Sequence, residues 1–315
     1  MKVNAVGHIG SSGLGRAFEM HAGCLSTFHD VSYESINGGP RGQAENLYFH
    51  GIPKASKGFN SSGRSIAYWV CESTELDESY HQEHDRFTDI WTASTFCQEV
   101  IERELNRKVK LVPHYVDKFS AKTTSNTRPT VLIAFDGHSR ILRKNPAASV
   151  TAARDAFGAN CEIIVKAKHL KPSYKQWLVK TAKDSPITFI EGHLDDEQMT
   201  QLYDKVDILL SLHCAEGFGL HILEAMAHSK KVVATDFGGS RDFLTPATGY
   251  PVEDVINSTT DEVFKGKWAF PSHDHAVEQL RIAVTDDGTK NQAAFKMARN
   301  NFNHISTLCA TEAAL

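Results

Sequence analysis

The sequence predicts an α/β protein built from two doubly wound domains, and three observations lead to this prediction. The chain has 315 residues, whereas an ordinary domain has roughly 100 to 200. In the second half, short apolar runs alternate with amphipathic stretches of helical length. A polar stretch rich in structure breakers, Lys118–Pro129, separates that half from a weaker version of the same pattern. We therefore expect domains at 1–122 and 123–289, with a C-terminal helical segment, 290–315, packing back on the first domain.

The second half has the clearer pattern. Runs rich in β-branched residues predict five strands: Thr130–Phe135, Glu162–Ala167, Ile187–Glu191, Asp207–Leu212 and Lys231–Thr235. Amphipathic stretches between them predict four helices: Pro146–Phe157, Ser173–Ala182, Asp196–Tyr203 and Leu220–His228. Strands buried on both faces have continuous apolar runs, so this half is predicted to hold a parallel sheet covered by helices.

The first half shows the same alternation less strongly. Its elements are predicted as a strand, a glycine-rich turn, a helix and three later strands, followed much later by a final helix: Val3–Val6, Gly10–Gly15, Arg16–Leu25, Ser65–Val70, Asp89–Ala93, Val109–Val112 and Lys290–Leu308.

Composition excludes several classes of protein. Hydrophobic residues make up 41% and charged residues 23%, which is typical of a soluble globular chain. With 34 Lys plus Arg against 38 Asp plus Glu, no basic footprint for nonspecific nucleic-acid binding is present. No apolar run reaches membrane-spanning length, and Met1–Gly10 lacks the apolar core of a signal peptide. The six cysteines form no C-x-x-C pair, so neither a zinc site nor a disulfide framework is indicated. We expect a cytoplasmic protein.

The most informative segment is Ala215–Ala227, with the sequence AEGFGLHILEAMA. It follows a predicted strand, contains a glycine turn and enters a helix, so it lies where parallel sheets bind ligands. Glu216 and Glu224 bracket the helix start, and Glu224 is about 7 Å deeper along the helix axis. The pattern leaves two interpretations open. The two carboxylates hold hydroxyls on either side of a diphosphate, or they are a favourable acid near a helix start and a solvated helix residue.

This segment closely resembles the E-x7-E signature of retaining glycosyltransferases with the GT-B fold, in particular those of family 4, the glycosyl transferases group 1. Four further segments resemble the family: Trp91–Phe96, Val112–Asp117, Arg143–Pro146 and Val233–Gly239. The resemblance implies two Rossmann-like domains facing a cleft. The first, compact domain would bind the acceptor and the second the nucleotide-sugar donor.

The same resemblance assigns catalytic roles to Glu216, Arg143 and Lys144. Glu216 would lie beside the donor sugar and bind its hydroxyls, and the two cations would neutralise the diphosphate. The local pattern agrees, because Asn145 is a good N-cap and Pro146 suits the first helical position. A helix N-terminus beside two cations favours an anion, although a solvated basic turn is the alternative.

The other donor-binding residues also follow from the resemblance. Glu224 would bind the ribose of the sugar nucleotide. The motif turn and two histidines at predicted strand ends complete the donor set: Gly217, Phe218, Gly219, Leu220, His138 and His213. The chain departs from the family pattern at Ser139, where arginine is common, and at His221, where proline is common.

Candidate acceptor residues lie in the first domain. Gly13 and Gly15 belong to a turn without a clean G-x-G-x-x-G pattern. The resemblance implies that this turn lines the cleft, with a simple tight turn as the alternative. Glu72 resembles an acidic position of the acceptor cleft, with a surface acid as the alternative. His81 and His84 could share a helix face and a metal, but with no third ligand evident a solvated polar face is favoured.

We therefore expect a retaining glycosyltransferase that uses a nucleoside diphosphate sugar. The expected donor is a UDP-sugar, with a GDP-sugar as the alternative. No metal or further cofactor is expected, since the family generally needs none and the chain has no Asp-x-Asp signature. The acceptor is left open among a glycan, a lipid-linked glycan, a small molecule and a modified nucleobase, as are the oligomeric state and the need for a partner. The rival functions are a sugar-nucleotide epimerase of the same architecture and a noncatalytic sugar-nucleotide-binding subunit.

Overall fold

The computed structural model describes residues 1–10, 12–38, 43–123, 126–259, 261 and 264–312, without the side chains of 306–312. The chain forms two compact units. The first unit comprises Met1–Tyr115, Ser258–Lys267 and Asn301–Leu315, and the second comprises Val116–Asn257 and Trp268–Asn300. None of the helices in the described part of the chain combines the length and the hydropathy needed to span a bilayer.

The elements of the first unit are, in chain order, β1 (Lys2–Gly7), α1 (Gly13–Ser26), β2 (Asp30–Ser35), β3 (Gln43–Ala44), β4 (Leu47–His50), β5 (Asn60–Ser61), β6 (Ser65–Tyr68), α2 (Glu78–Glu83), β7 (Asp89–Thr92), α3 (Thr95–Leu105) and β8 (Lys110–Leu111). Six of the strands form a parallel sheet in the order β2-β1-β4-β6-β7-β8. The predicted strands near residues 3, 65, 89 and 109 are confirmed.

The glycine-rich turn after β1 is shorter than the sequence predicts. Helix α1 begins at Gly13, because the Ser12 hydroxyl accepts a hydrogen bond from the Gly15 amide and caps the first turn. Gly15 is also a packing requirement, since a Cβ there would lie 2.0 Å from the Gly10 carbonyl oxygen. Gly13 and Gly15 are thus helical residues rather than turn residues. Ser11, which the prediction placed in the same turn, lies outside the described residues.

The elements that follow are β9 (Thr130–Asp136), α4 (Ile141–Lys144), α5 (Pro146–Phe157), β10 (Glu162–Lys168), α6 (Pro172–Ala182), β11 (Ile187–Glu191), α7 (Asp196–Tyr203), β12 (Ile208–Ser211), α8 (Leu220–Ala227), β13 (Lys231–Thr235), β14 (Tyr250–Val252), β15 (Asp254–Ser258), β16 (Lys267–Pro271), α9 (His273–Thr285) and α10 (Thr289–Glu312). The five strands and four helices predicted for this half are confirmed to within one or two residues at each end.

The second unit is built on a six-stranded parallel sheet of order β11-β10-β9-β12-β13-β14. From β9 the chain winds outward through β10 to β11, then returns to β12 on the other side and continues to β14. This is the doubly wound order of a Rossmann-like domain. The winding direction reverses between β9 and β12, so the loops that follow these two strands diverge and leave a crevice at their carboxyl ends.

The second sheet is buried on both faces, which explains its continuous apolar strands. Val131 and Ile133 of β9 pack in one cluster with Leu178 of α6 and Leu280 of α9. Leu132, which points to the opposite face of the same strand, is also fully buried. A strand covered on both faces gains from apolar residues at every position, which is why these strands stand out in the sequence.

Elements missed by the prediction have physical reasons. β2 (DVSYES) is a sheet-edge strand with a mostly polar sequence, whereas β4 (LYFH) is a central strand too short to show a period.

The expected linker Lys118–Pro129 is part of the second unit, where the carbonyl of Lys122 accepts a hydrogen bond from the buried Lys230 ammonium. Residues 124 and 125 of that linker lie outside the described residues. Cys24 is disulfide-bonded, which the scattered cysteine spacing did not predict.

Candidate functional site

The candidate site lies where β9 and β12 end. β9 ends at Asp136 and continues into the segment that carries α4, and β12 ends at Ser211 and continues into the glycine turn before α8. The two strands are neighbours in the sheet. Residues 137–144 and 212–220 therefore enter the same region at the reversal point of the sheet, which is where ligands bind in this type of fold.

The central group of the site is the carboxylate of Glu216. Its Oε2 forms a direct ion pair with the Lys144 ammonium and lies 3.6 Å from Nη1 of Arg143. The three side chains are well shielded from solvent, with exposures of 10% for Glu216, 4% for Arg143 and 13% for Lys144. Residues 72 positions apart in the chain, predicted to act together, are thus in contact.

Backbone hydrogen bonds hold the two segments together. Nη1 of Arg143 donates to the Ala215 carbonyl over 2.9 Å, and its Nε donates to the Ser139 carbonyl over 3.2 Å. In return, the Cys214 amide donates to the Arg143 carbonyl over 2.7 Å. Arg143 therefore acts as a fixed link between α4 and the turn after β12, and its guanidinium position depends on both segments.

The charges in this group determine the state of Glu216. Burial by itself would raise the pKa of the carboxyl, but the attraction of Lys144 and Arg143 outweighs it and holds the pKa of Glu216 well below its usual range. The carboxylate is therefore ionised at neutral pH, and the three side chains together carry one net positive charge. A partly desolvated group with net positive charge favours an anionic ligand.

Two histidines extend the site along the end of β12. The Ser211 hydroxyl lies 3.2 Å from Nδ1 of His213 and 3.0 Å from Nε2 of His221. Nε2 of His213 is 3.1 Å from the Phe237 carbonyl, to which it must donate. Its Nδ1 is then an acceptor for the Ser211 hydroxyl, which in turn accepts from His221. One chain of hydrogen bonds thus joins both rings in their neutral forms.

Burial reinforces this neutral state. Desolvation lowers the pKa of His213, although Glu216 and the bond to the Phe237 carbonyl oppose the shift. Desolvation, together with the positive charge of Lys144, lowers the pKa of His221 to about 3. Both imidazoles therefore act at neutral pH as uncharged hydrogen-bonding groups, and the positive charge of the site stays with Arg143 and Lys144.

A pair of glycines gives Glu216 its position. The amide of Gly239 donates to the Glu216 carbonyl over 2.9 Å. A Cβ on Gly239 would lie 2.1 Å from the Gly217 carbonyl oxygen, and one on Gly238 would lie 2.1 Å from the Glu216 carbonyl oxygen. Side chains at these two positions would push the motif turn away. The turn after β13 is therefore part of the scaffold that holds Glu216.

The start of α8 gives the site a helix N-terminus. Gly219 precedes the helix in a left-handed conformation with φ of +92°, and no side chain caps the helix there. Such a conformation favours glycine, and uncapped amides at a helix start attract negative charge. One turn further along, the Glu224 carboxylate accepts a hydrogen bond from the Tyr203 hydroxyl over 3.4 Å. Glu216 and Glu224 thus face different partners.

One local prediction about the basic segment was wrong. Asn145 occupies the N-cap position of α5 but has a left-handed backbone, and its side chain makes no capping hydrogen bond. Arg143 and Lys144 lie in the short helix α4 rather than in a solvated turn, and both are largely buried. Pro146 does occupy the first position of α5, as predicted.

The structure places the remaining predicted residues in several environments. Phe218 packs against Phe243 at a ring distance of 5.2 Å, and Leu220 begins α8. His138 is exposed and stacks on His169. The half-buried Glu72 lies in the first unit, as do Gly13 and Gly15.

The histidine pair proposed as a possible metal site has acidic neighbours instead. Nε2 of His81 lies 3.8 Å from Glu104, and Nδ1 of His84 lies 3.2 Å from Asp85. Sequence reasoning missed the roles of Ser211 and His221. The sequence features that could have indicated these roles are the polar residue at the end of a strand, for Ser211, and the departure from the family pattern at the start of α8, for His221.

The fold and site define a class of protein. Two Rossmann-like units with parallel sheets, together with the structural relatives below, show the GT-B fold of glycosyltransferases. The family model for glycosyl transferases group 1 matches residues 137–263, which include Arg143, Lys144, Glu216 and Glu224. That region of the chain therefore resembles the glycosyl transferases group 1, and the fold of the chain is that of GT-B glycosyltransferases.

Three solved structures illustrate the likeness of fold. A glycosyltransferase from Rickettsia africae ESF-5 is 14% identical with a TM-score of 0.75, over 99% of this chain and 97% of that one. Anabaena Alr3699/HepE, solved in complex with UDP-glucose, is 14% identical with a TM-score of 0.72 over the full length of both chains. WaaG, a glycosyltransferase involved in lipopolysaccharide biosynthesis, is 15% identical with a TM-score of 0.62, over 99% and 98%. No curated protein sequence matches the chain.

Proposed function

We propose that the protein is a retaining glycosyltransferase that transfers a sugar from a nucleoside diphosphate sugar, with the donor bound at the reversal point of the second sheet. The observation that carries the proposal is the buried group of Glu216, Lys144 and Arg143 at the carboxyl ends of β9 and β12. The structure solved for HepE holds UDP-glucose, which supports a UDP-sugar as the first donor to test.

Arg143 and Lys144 would bind the diphosphate and stabilise the charge that forms on it. When the glycosidic bond breaks, negative charge develops on the β-phosphate, and fixed cations in a desolvated site stabilise that charge more than they would in water. Lys144 forms an ion pair with Glu216. Its flexible ammonium can turn toward the incoming phosphate, whereas Arg143 is held by the carbonyls of Ser139 and Ala215.

Glu216 would then bind the sugar rather than the phosphate. Its low pKa keeps it ionised, so it accepts hydrogen bonds from sugar hydroxyls and orients the ring beside the diphosphate. Glu224, one turn into α8 and supported by the Tyr203 hydroxyl, would accept from the ribose hydroxyls. The sugar and the ribose lie on opposite sides of a diphosphate, which matches two carboxylates held apart by a helix turn.

Turnover and binding together test the proposal. The protein is incubated with UDP-, GDP- and ADP-sugars, and nucleotide release and UDP affinity are measured for wild type, Lys144→Ala and Glu216→Gln. We expect Lys144→Ala to lower the rate of nucleotide release by roughly 10²–10³-fold and to weaken UDP binding, since it removes a cation that stabilises the charge on the diphosphate. Lys175→Ala is the matched control, because Lys175 forms an exposed ion pair with Glu191 in the same unit.

The same assay separates the rival functions. An epimerase changes the sugar without releasing nucleotide, and a noncatalytic subunit binds the sugar nucleotide without turnover. Product anomers resolved by NMR test retention of configuration. Nucleotide affinity and turnover that are equal in wild type, Lys144→Ala and Glu216→Gln would contradict the site assignment.

The acceptor is proposed to bind at Gly13, Gly15 and Glu72 of the first unit. A Glu72→Gln variant with normal UDP affinity but reduced transfer would support this.

A further inference from the structure

We infer that Asp136, His138 and His169 form a binding site for a divalent transition-metal ion such as Zn²⁺. Each of the three residues offers one ligand atom, and these atoms lie within 4.8 Å of one another. The site is separate from the Glu216 group in its residues, and the inference does not depend on the proposed function. No sequence motif predicts this metal site, because His169 is 33 residues from Asp136 in the chain.

The sheet brings the three residues together. Asp136 ends β9 and pairs in register with Lys168, the last residue of the neighbouring strand β10. His169 directly follows β10, and His138 follows β9 after Gly137. Gly137 permits the close approach of the two segments, since a Cβ there would lie 2.3 Å from the His169 carbonyl oxygen. Two adjacent parallel strands thus deliver one carboxylate and two imidazoles to the ligand-binding edge of the sheet.

The contacts within the cluster prepare the side chains for a metal. Nδ1 of His169 lies 2.8 Å from Oδ1 of Asp136, so either both atoms bind the ion, or the carboxylate accepts a hydrogen bond from Nδ1 and Nε2 is the metal ligand. A carboxylate that orients an imidazole in this way is the usual support of a metal-binding histidine. The His138 ring stacks on His169 with centroids 3.7 Å apart and planes 10° apart, so a second imidazole lies beside the first and the rings rotate out of the stack to direct their lone pairs at one ion.

The donor set determines which ion fits. Two imidazoles and one carboxylate suit Zn²⁺ and its first-row neighbours, whereas Mg²⁺ and Ca²⁺ prefer oxygen ligands alone. Ligands around a tetrahedral Zn²⁺ are bound at about 2.0–2.2 Å and lie about 3.5 Å from one another, a geometry that the exposed rings of His138 and His169 can reach by rotating. The His169 side chain is 50% exposed and that of Asp136 is 22% exposed, so an ion can reach the site from solvent.

Metal binding to the whole protein tests the inference directly. Isothermal titration with Zn²⁺ is carried out in the presence of excess Mg²⁺, and Co²⁺ is used as a spectroscopic probe whose visible absorption reports imidazole ligands. We expect one Zn²⁺ per chain at this site and a weakening of at least about tenfold in His138→Gln and in His169→Gln. Asp136→Asn should weaken binding as well, whether the carboxylate is a ligand or orients His169.

The chain has 16 histidines, so the control must exclude incidental binding. His193 is exposed in the same unit, and His193→Gln should leave the Zn²⁺ affinity unchanged. Zn²⁺ affinity and Co²⁺ absorption that are the same in His138→Gln and His169→Gln as in wild type would overturn the inference, as would the absence of Zn²⁺ binding. His138 is exposed, so His138→Gln is expected to fold, and circular dichroism verifies this.

Discussion

Arg143 and Glu216 face each other across 3.6 Å in the second unit, between helix α4 and the turn that follows β12. Glu216 also forms an ion pair with Lys144, so one carboxylate interacts with two cations. All three side chains are largely buried, and the free-energy consequences of changing any of them are correspondingly large.

Removal of the Glu216 charge should destabilise the fold. In Glu216→Gln, Arg143 and Lys144 lose their carboxylate and remain close together and shielded from water. We expect a loss of about 3 kcal/mol in the free energy of unfolding, measured by urea titration at pH about 7. The matched control is Glu191→Gln, which breaks the exposed pair with Lys175 and should cost about 1 kcal/mol or less. Equal midpoints for the two variants would show that the buried pairs contribute no stability.

Stability should depend on pH through His221. Its pKa is about 3 in the folded protein and 6.5 in the unfolded chain, so below pH 6.5 the unfolded chain binds a proton that the folded protein does not. Stability therefore falls as pH drops from 6.5 toward 3. In His221→Gln this contribution is absent, and the loss of stability between pH 7 and 5 should be smaller by up to about 2 kcal/mol.

The measurement for His221 is the difference in urea unfolding free energy between the two pH values, for wild type and variant. His193→Gln is the control, since His193 is exposed in the same unit and should not change the difference. A pH dependence that is identical in His221→Gln and wild type would show that His221 titrates alike in both states.

The Ser211 hydroxyl should contribute through the two rings that it joins. Ser211→Ala leaves Nδ1 of His213 and Nε2 of His221 without the partner that lies 3.2 Å and 3.0 Å away. We expect a loss of about 1–3 kcal/mol, because a buried polar group without its hydrogen bond carries the full cost of desolvation. Ser173→Ala, at an exposed position in α6, should be close to neutral. Thermal denaturation that does not distinguish the two variants would contradict the assignment.

Gly239 should tolerate no side chain. A Cβ in Gly239→Ala would lie 2.1 Å from the Gly217 carbonyl oxygen, so the motif turn that carries Glu216 must move. We expect lower stability and weaker UDP binding in the same variant. Gly23→Ala provides the contrast, because Gly23 lies within α1 with open space around its Cβ position, and alanine there should stabilise by about 0.4–1 kcal/mol. Normal UDP affinity in Gly239→Ala would show that the turn adapts.

Much of the second unit could be predicted from the sequence, and the reason is physical. Its strands are buried on both faces, so β9 and its neighbours are apolar throughout and stand out against the helices between them. Edge strands such as β2 carry polar residues, and β4 is too short to show a period. The local signal was weakest where only one face, or only a few residues, contribute to burial.

The sequence by itself determined the residue types of the candidate site and the order in which they occur. The E-x7-E spacing singled out Glu216 and Glu224, and the basic segment singled out Arg143 and Lys144. It could not determine which charges touch, because ion pairs between residues 72 positions apart depend on which strands become neighbours in the sheet.

Tertiary structure alone decided the electrostatic state of these residues. Burial and proximity keep Glu216 ionised and His221 neutral, and neither effect can be read from local sequence. The same holds for Asp136, His138 and His169, which come together only because β9 and β10 end side by side. Sequence pattern fixes the elements through short-range periodicity, whereas sheet order places distant side chains at one edge.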